Sequence, residues 1–419
     1  MMNDELGMTT EILPLTETIS PADEAAVAAA VRDAHRDRRA IYPIGGGTGL
    51  DYGARPSRPG IGLSLGGLNR VIDYPADDMT ITVEAGITVA ELFRVLASKR
   101  QRLPVDIPQA DWATIGGVVA TAPSGPRRYA LGTMRDYVIG LRAVDGLGSA
   151  FSSGGRVVKN AAGYNLCRLL VGSLGTLGVI TQATLMVRPV PETSALLACD
   201  VPDLDTAERL LAALIHTQTV PVAVELQAGS FPQDTPILGP MSEGNAARLI
   251  VGFEGTAAEV EWMVERLGEE WCTSGVSLAV TVDDPEAGPL WRWLTEFSAD
   301  VQIRVRPGAT TGVIGRLLEL APQCSIVAHA GDGVIGVHLC ALEPAALTSL
   351  VTQELRPLVE EVGGNLVVLS YPEEAELTRQ EIWGPPGSAA AVMRAIKDRF
   401  DPEGILNPGR FVFDEPNVR

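Results

Sequence analysis

The sequence predicts an α+β protein of two unlike parts, and three observations carry that expectation. Glycine clusters recur in the N-terminal portion, at Gly45 to Gly49, at Gly116 and Gly117, and at Gly172, Gly175 and Gly178. A proline-rich break, VRPVPE, falls at Val187–Glu192, and such clusters punctuate regular structure. Beyond it, strand-like runs alternate with amphipathic helical stretches until a second break, WGPPGS, at 383–388. The expected division is residues 1–190, an independent α/β domain at 191–383, and a last helix and tail at 384–419. Each of the two larger parts is of ordinary domain size. No internal repeat is read.

Ser20-Pro21-Ala22-Asp23 reads as a helix start, with a capping serine, proline at the first position and an acid in the first turn. The helix is expected to run to about Asp37, and the strand Ala40–Ile44 follows. Residues 61–65, 70–73 and 79–84 read as strands, the last by its alternation. Thr88 is expected to cap the helix VAELFRVLASKR, while YVIGLRAVDG and GVITQATLMVRP read as strands. In the second part, strands are expected at 222–227, 247–253, 277–282, 301–306, 325–329, 334–340 and 365–371, with helices at 258–271 and 344–362. The closing helix is AAAVMRAIKDRF, ahead of the turn-rich DPEGILNPGRF.

Composition narrows the function. With 46% hydrophobic and 20% charged residues, the 419-residue chain has the balance of a folded globular protein. A net charge of −19 argues against nucleic acid or anionic membrane as partners. No apolar run is long enough to span a bilayer. The opening MMNDELGMTTEI has no signal-peptide core, so a cytoplasmic location is expected. The five cysteines, Cys167, Cys199, Cys272, Cys324 and Cys340, are scattered without C-x-x-C and read as reduced, buried thiols.

The stretch Ile41 to Gly49, IYPIGGGTG, reads as a strand ending in a turn of bare backbone. Successive N–H groups of such a turn can hold a phosphate. It is not the dinucleotide fingerprint, because Leu50 and Tyr52 stand where G-x-G-x-x-G needs glycine. Three glycine clusters in one domain suggest one extended ligand crossed by backbone at several points. Gly62-Leu63-Ser64-Leu65-Gly66 matches G-x-S-x-G formally, but that motif needs a strand–turn–helix context, and here a turn and a strand are expected. Arg304 and Arg306 in VQIRVRPG share a strand face by their spacing and could clamp a carboxylate, against the plainer reading of a solvated face. Trp291 and Trp293, flanking Arg292, read as core or surface of the second domain.

YPIGGGTGLDYG, TIGGVVATAPSGPRRYALGTMRDYVIGLRAV, GRVVKNAAGYNLCRLLVGSLGTLGVIT and MRAIKDRFDPEGILNPGRF together resemble the vanillyl-alcohol oxidase/PCMH flavoprotein superfamily, and within it the FAD-binding subunits of bacterial glycolate oxidases. The resemblance covers about 41–190 and 390–412. It implies a two-part PCMH-type FAD-binding domain, a separate α/β (ferredoxin-like) cap, and a C-terminal tail that returns to the FAD domain. It implies that Pro43, Ile44, Gly45, Gly46, Gly47, Thr48 and Gly49 surround the FAD pyrophosphate, and that Thr114, Ile115, Gly116, Gly117, Ala120 and Thr121 follow the flavin and ribityl. Ser124, Gly125, Gly132, Arg135 and Asp136 would continue the wall, Gly178, Val179 and Ile180 would line the adenine side, and Asn407 would approach the flavin. Covalent members use a histidine in the glycine turn. Here Thr48 stands there and none of the four histidines is near, so dissociable FAD is expected.

AHAGDGVIGVH resembles the metal-ligating H-x-G-D-G-N-x-H of the D-2-hydroxyacid dehydrogenase branch, with two departures. Gly336 occupies the second histidine's place and His338 lies two residues beyond it; the third-ligand motif S-x-E-H-G-x-G is replaced by LSYPEEAEL. Two ligands rarely hold zinc, so no metal is expected. A glycine turn between core strands is the plainer reading; otherwise His329 and His338 are the base candidates. The implied role is the FAD-binding subunit of a glycolate or D-2-hydroxyacid oxidoreductase. Its implied partners are a second flavoprotein subunit, an iron–sulfur subunit and a small 2-hydroxyacid. A self-sufficient FAD oxidase of another small acid or alcohol, and a non-catalytic subunit that retains FAD, are the alternatives.

Overall fold

The computed structural model describes residues 12–155, 165–231, 238–239, 241, 244–274, 276, 280–283, 287–340, 342–375, 377–410 and 412. The motif VVKNAAGY and the first half of the strand expected at 277–282 lie outside the described residues. The chain separates into two compact units. One runs to Pro123 and adds Thr133–Val190 and the chain from Pro385 on; the other is Pro191–Gly384 together with Ser124–Gly132.

In the first unit, three parallel strands lie in the order Leu15–Ile19, Gly60–Ser64, Ala40–Ile44. The helix Glu24–Arg36 makes the crossover between the outer two and buries Val27, Ala28, Val31 and Ala34, an i, i+3, i+4 stripe. Its N-cap is Asp23 and not Ser20: the Asp23 carboxylate accepts from the Ala26 N–H at 2.8 Å. A five-stranded antiparallel sheet follows, in the order Val71–Asp73, Thr80–Glu84, Val179–Met186, Val138–Val144, Ala150–Gly154. Thr88 caps the helix Val89–Ala97, whose Leu92 and Leu96 enter the core with Ile81, Val83 and Ile115. Ser64 ends its strand and leads through a turn to Val71–Asp73, so the context of a nucleophile elbow is absent there.

The tail returns to this unit. Helix Ala390–Phe400 delivers Lys397 into the interior, 5% exposed, against Asp401 at 2%. The Lys397 ammonium donates to Asp401 Oδ2 at 2.6 Å and to the Thr176 carbonyl at 2.8 Å. The Asp401 carboxylate accepts from the N–H groups of Ile405 and Leu406 at 3.0 and 2.8 Å. Ile405 and Asn407 then bond both backbone groups of Ile41, so the tail runs beside the strand that feeds the glycine turn.

The second unit holds one eight-stranded, wholly antiparallel sheet made of two βαββαβ halves. The first half is strand Thr193–Val201, helix Leu204–Ala213, strands Ala223–Gly229 and Ala247–Gly255, helix Ala257–Thr273 and strand Val280–Asp283. The second is strand Val301–Arg304, helix Thr310–Leu320, strands Ser325–His329 and Val334–His338, a helical run Pro344–Glu361 and strand Asn365–Val368. In each half the first strand lies between the third and the fourth. The halves join through their second strands, Ala223–Gly229 against Ser325–His329. Sequence inspection misses this duplication, because the two halves share a strand–helix rhythm and no visible residue pattern. It also misses the nine-residue strand Thr193–Val201, which directly follows the proline break.

Register assigns the sheet faces. Leu249, Leu226, Ala328, Ile335, Ile303 and Leu366 form one row across the sheet, all fully buried. The opposite face carries the polar residues Glu254, Arg248, Gln227, Glu225, His329 and Arg304. Of the cysteines, Cys167, Cys199 and Cys324 are buried and Cys272 and Cys340 are exposed, a correction to the expectation that all are buried. Burial pushes the Cys199 thiol up to about 12 and Cys324 up to about 11, which leaves both inert at neutral pH.

Replacing Asp401 by alanine strands the Lys397 ammonium, so Asp401→Ala is expected to lower unfolding free energy by about 3–5 kcal/mol. Urea denaturation of the two proteins measures it; a loss below about 1 kcal/mol contradicts the buried-pair account.

Candidate functional site

The glycine segments converge in the first unit. A side chain on Gly46 would run into the Trp112 carbonyl, and one on Gly45 into the Thr114 hydroxyl. The glycine turn therefore rests directly on the residues that open helix Ile115–Thr121. Thr114 caps that helix through Gly117 N–H, and the helix is buried along Ile115, Gly116, Val118 and Val119. The third cluster packs on its other end, where Gly172 and Leu174 donate to the carbonyls of Val119 and Ala120, both at 2.9 Å. Asn407 closes the ring: its side chain donates to the Leu174 carbonyl at 2.6 Å and its backbone lies at φ +48°. Arg410, 5% exposed, donates to the carbonyls of Leu50 and Tyr52 just past the glycine turn.

Several features at this place look toward a ligand. Among the described residues, the N–H groups from Gly45 to Thr48 make no backbone hydrogen bond. Gly47 has φ +80°, Gly172 φ +78° and Gly175 φ +67°, values that keep the backbone bare because a Cβ is strained there. The hydroxyl of Ser173 is buried without a hydrogen-bond partner, a condition that calls for one.

The other expected cofactor residues distribute differently. Ala120 and Thr121 lie on the helix just described, with Gly49 against the Thr121 methyl. Ser124, Gly125 and Gly132 belong to the segment grouped with the second unit. Arg135 is exposed, and the Asp136 carboxylate caps the short helix Met134–Tyr137 by accepting from Thr133 N–H at 2.8 Å. Val179 and Ile180 direct buried side chains into the core, and a Cβ on Gly178 would press on the Val144 carbonyl. These three can offer a ligand only backbone.

In the second unit His329 and Glu225 stand directly opposite each other across the seam between the halves. Nδ1 of His329 lies 3.0 and 2.8 Å from the two carboxylate oxygens of Glu225, whose side chain is 1% exposed. The loop after His329 is pinned to the same strand: Ala330 N–H donates to the Val224 carbonyl at 2.8 Å. Asp332, in that turn, has Oδ1 3.8 Å from Arg128 Nε, and Tyr129 packs over Gly331. The neighbouring Arg127 is fixed otherwise, 2.6 Å from Glu254 and 3.9 Å above the ring of the buried Trp291. Arg128 also donates to Ser124 Oγ at 3.2 Å.

His338 does not join His329. It faces Ser325 at the far end of the hairpin, and its Nδ1 is 3.0 Å from Asp300 with the side chain 45% exposed. Arg304 and Arg306 also do not share a strand face, so the possible two-arginine clamp does not form. The strand ends at Arg304, which donates to Gln302, and Arg306 leaves the ladder as the residue before a 3-10 turn. Arg304 instead shares a row with His329, in the order Glu225, His329, Val334, Arg304. Glu225 escapes sequence inspection because a lone acid in VELQAG carries no motif. Among the described residues no group of three or more His, Cys, Asp or Glu is placed to hold a metal, and no helix is long and apolar enough to cross a membrane.

Comparison with known proteins gives two family matches: an FAD binding domain over residues 17–154, and the C-terminal domain of FAD-linked oxidases over 190–314 and 381–411. The D-lactate dehydrogenase of Archaeoglobus fulgidus is 30% identical over 94% of this chain and 90% of its own length. The D-2-hydroxyglutarate dehydrogenase of Xanthomonas citri pv. viticola is 29% identical over 93% and 88%. The glycolate oxidase subunit GlcD of Bacillus subtilis is 26% identical over 90% and 85%. Among solved structures, an alkyldihydroxyacetonephosphate synthase superposes with a TM-score of 0.68 at 18% identity, covering 94% of this chain and 77% of that one. The converging glycine loops fit FAD: donor N–H groups without backbone acceptors, positive-φ glycines and an orphaned hydroxyl suit an uncharged cradle for a pyrophosphate.

Because a methyl on Gly46 must displace the Trp112 peptide, Gly46→Ala is expected to weaken FAD binding at least tenfold. Quenching of flavin fluorescence on titrating apoprotein measures the constant, and an unchanged Kd contradicts this placement of the cradle.

Proposed function

Since the chain belongs to the family of FAD-linked oxidases, we propose that it oxidises a small D-2-hydroxy acid at a non-covalently held FAD. The observation that carries the substrate side is the row on the polar face of the second unit. His329 and Arg304 stand two strands apart with Val334 between them, a backbone separation of about 10 Å. An arginine side chain and a small hydroxy acid together span that gap. Arg304 takes the carboxylate by charge-assisted hydrogen bonds, and His329 accepts the hydroxyl proton. FAD, when bound, supplies the two-electron acceptor for the hydride on the substrate α-carbon. Around the cofactor, Gly45 to Thr48 offer N–H groups to the pyrophosphate, Ser173 offers its hydroxyl, and Asn407 and Arg410 hold the flanking loops in place. Pro43, Ile44, Thr114 to Gly117, Ala120 and Thr121 line the same cradle.

The likeness to the GlcD subunit supports a role within a glycolate oxidase-like assembly, in which a second flavoprotein and an iron–sulfur subunit receive the electrons. The five scattered cysteines form no ligand framework for a cluster of the chain's own. The row of His329 and Arg304 favours chemistry on this chain itself and not a purely structural subunit.

Anaerobic mixing of the FAD-loaded chain with glycolate, D-lactate or D-2-hydroxyglutarate tests this reading. Bleaching of the flavin by one of them is expected. Bleaching only after the partner subunits are added places the oxidation on the assembly, and none under either condition overturns the reading. His329→Gln is expected to slow bleaching about 10²- to 10⁴-fold, and Arg304→Met to weaken substrate binding about 10- to 100-fold. With Thr48 in the turn, acid precipitation is expected to release all the flavin; flavin retained on the denatured chain contradicts non-covalent binding.

A further inference from the structure

We propose that Glu225 is a positioning residue that fixes the tautomer and orientation of His329, so that Nε2 is the basic nitrogen. This rests on the reading of His329 as the proton acceptor. The geometry is narrow. Glu225 and His329 occupy directly opposed positions of an antiparallel pair, so their Cβ atoms are close whatever the rotamers. Both carboxylate oxygens lie within 3.0 Å of Nδ1. An ionised carboxylate only accepts hydrogen bonds, so Nδ1 carries the proton and the lone pair of the neutral ring sits on Nε2. The backbone adds a second restraint, because Ala330 and Gly331 both donate to the carbonyl of Val224, the residue before Glu225.

The position of the pair in the fold strengthens the assignment. It lies on the seam where the two βαββαβ halves meet, one partner from each half. A carboxylate with 1% exposure on a sheet interior needs a donor, and the register supplies the histidine. With both oxygens on Nδ1, the Glu225 carboxylate stands behind the imidazole and acts through it.

Two measurements test the proposal. The first needs no turnover. With four histidines in the chain, long-range ¹H–¹⁵N spectra of ¹⁵N-histidine protein are simple, and His329→Gln assigns the His329 signals. The expected pattern is protonated Nδ1 with unprotonated Nε2, converting to the opposite or a mixed tautomer in Glu225→Gln. A protonated Nε2 in the native protein overturns the proposal even if no hydroxy acid bleaches the flavin. The second is a double-mutant cycle on anaerobic flavin reduction. Glu225→Gln is expected to slow reduction at least 100-fold with substrate and FAD affinities and Tm unchanged, while Glu225→Gln adds nothing in a His329→Gln background. Independent, multiplicative losses, or native reduction rates in Glu225→Gln, overturn it. Should Glu225→Gln fold poorly, Glu225→Asp keeps the charge and withdraws it by one methylene. It is expected to slow reduction about tenfold, and an unaltered rate with that variant also overturns the proposal.

Discussion

The buried pair of Lys397 and Asp401 is the constraint on which the cofactor side of the molecule depends. Neither charge can be left alone in the interior, and each spends its remaining hydrogen bonds on backbone that matters to the cradle. Lys397 reaches Thr176 in the third glycine cluster; Asp401 holds the N–H groups of Ile405 and Leu406. Those bonds bring Asn407 to Leu174 and Ile41, and carry Arg410 to the carbonyls past the glycine turn. Loops of nearly bare glycine have no side chains with which to hold their own shape. A short C-terminal strap, fixed by one ion pair, supplies the missing order from outside.

The second unit solves a different problem. A sheet with one largely apolar face leaves the other available for polar chemistry, and antiparallel pairing decides which side chains meet there. Joining two βαββαβ halves through their second strands places Glu225 and His329 opposite each other at the centre of the sheet. Arg304 falls in the same row because its strand pairs with Val334–His338. The proposed substrate row thus follows from register and not from any local motif.

This explains what was legible in the sequence. Most described strands of the second unit, the Thr88 cap and the closing helix follow period-2 and period-3.6 patterns that individual segments carry by themselves. The glycine clusters are also local, so the proposed FAD cradle is visible as a set of fragments. What escapes is what depends on pairing: the duplicated halves, the strand Thr193–Val201 hidden behind the prolines, and Glu225, whose role exists only once His329 is beside it. The two-arginine clamp fails for a related reason, because the spacing of Arg304 and Arg306 implies a shared face only while the strand continues, and it ends at Arg304.

The altered histidine motif is best understood through the same register. Moving the second histidine from 336 to 338 keeps it on the same face but carries it about 7 Å farther along the strand. Position 336 is tight here: a Cβ would sit 3.3 Å from both Ala299 and the Val327 carbonyl, which suits glycine. His338, displaced, has its Nδ1 3.0 Å from Asp300 Oδ2 at the hairpin's open end. His329, left without a second imidazole, has a buried carboxylate at its Nδ1 instead. A cation would draw electrons from the substrate hydroxyl and make its proton more acidic. An imidazole backed by a carboxylate works from the other end of the same bond, by making the proton's acceptor more basic. On the proposed reading, a histidine and a cross-strand glutamate take up the task of removing that proton at this place in the sheet.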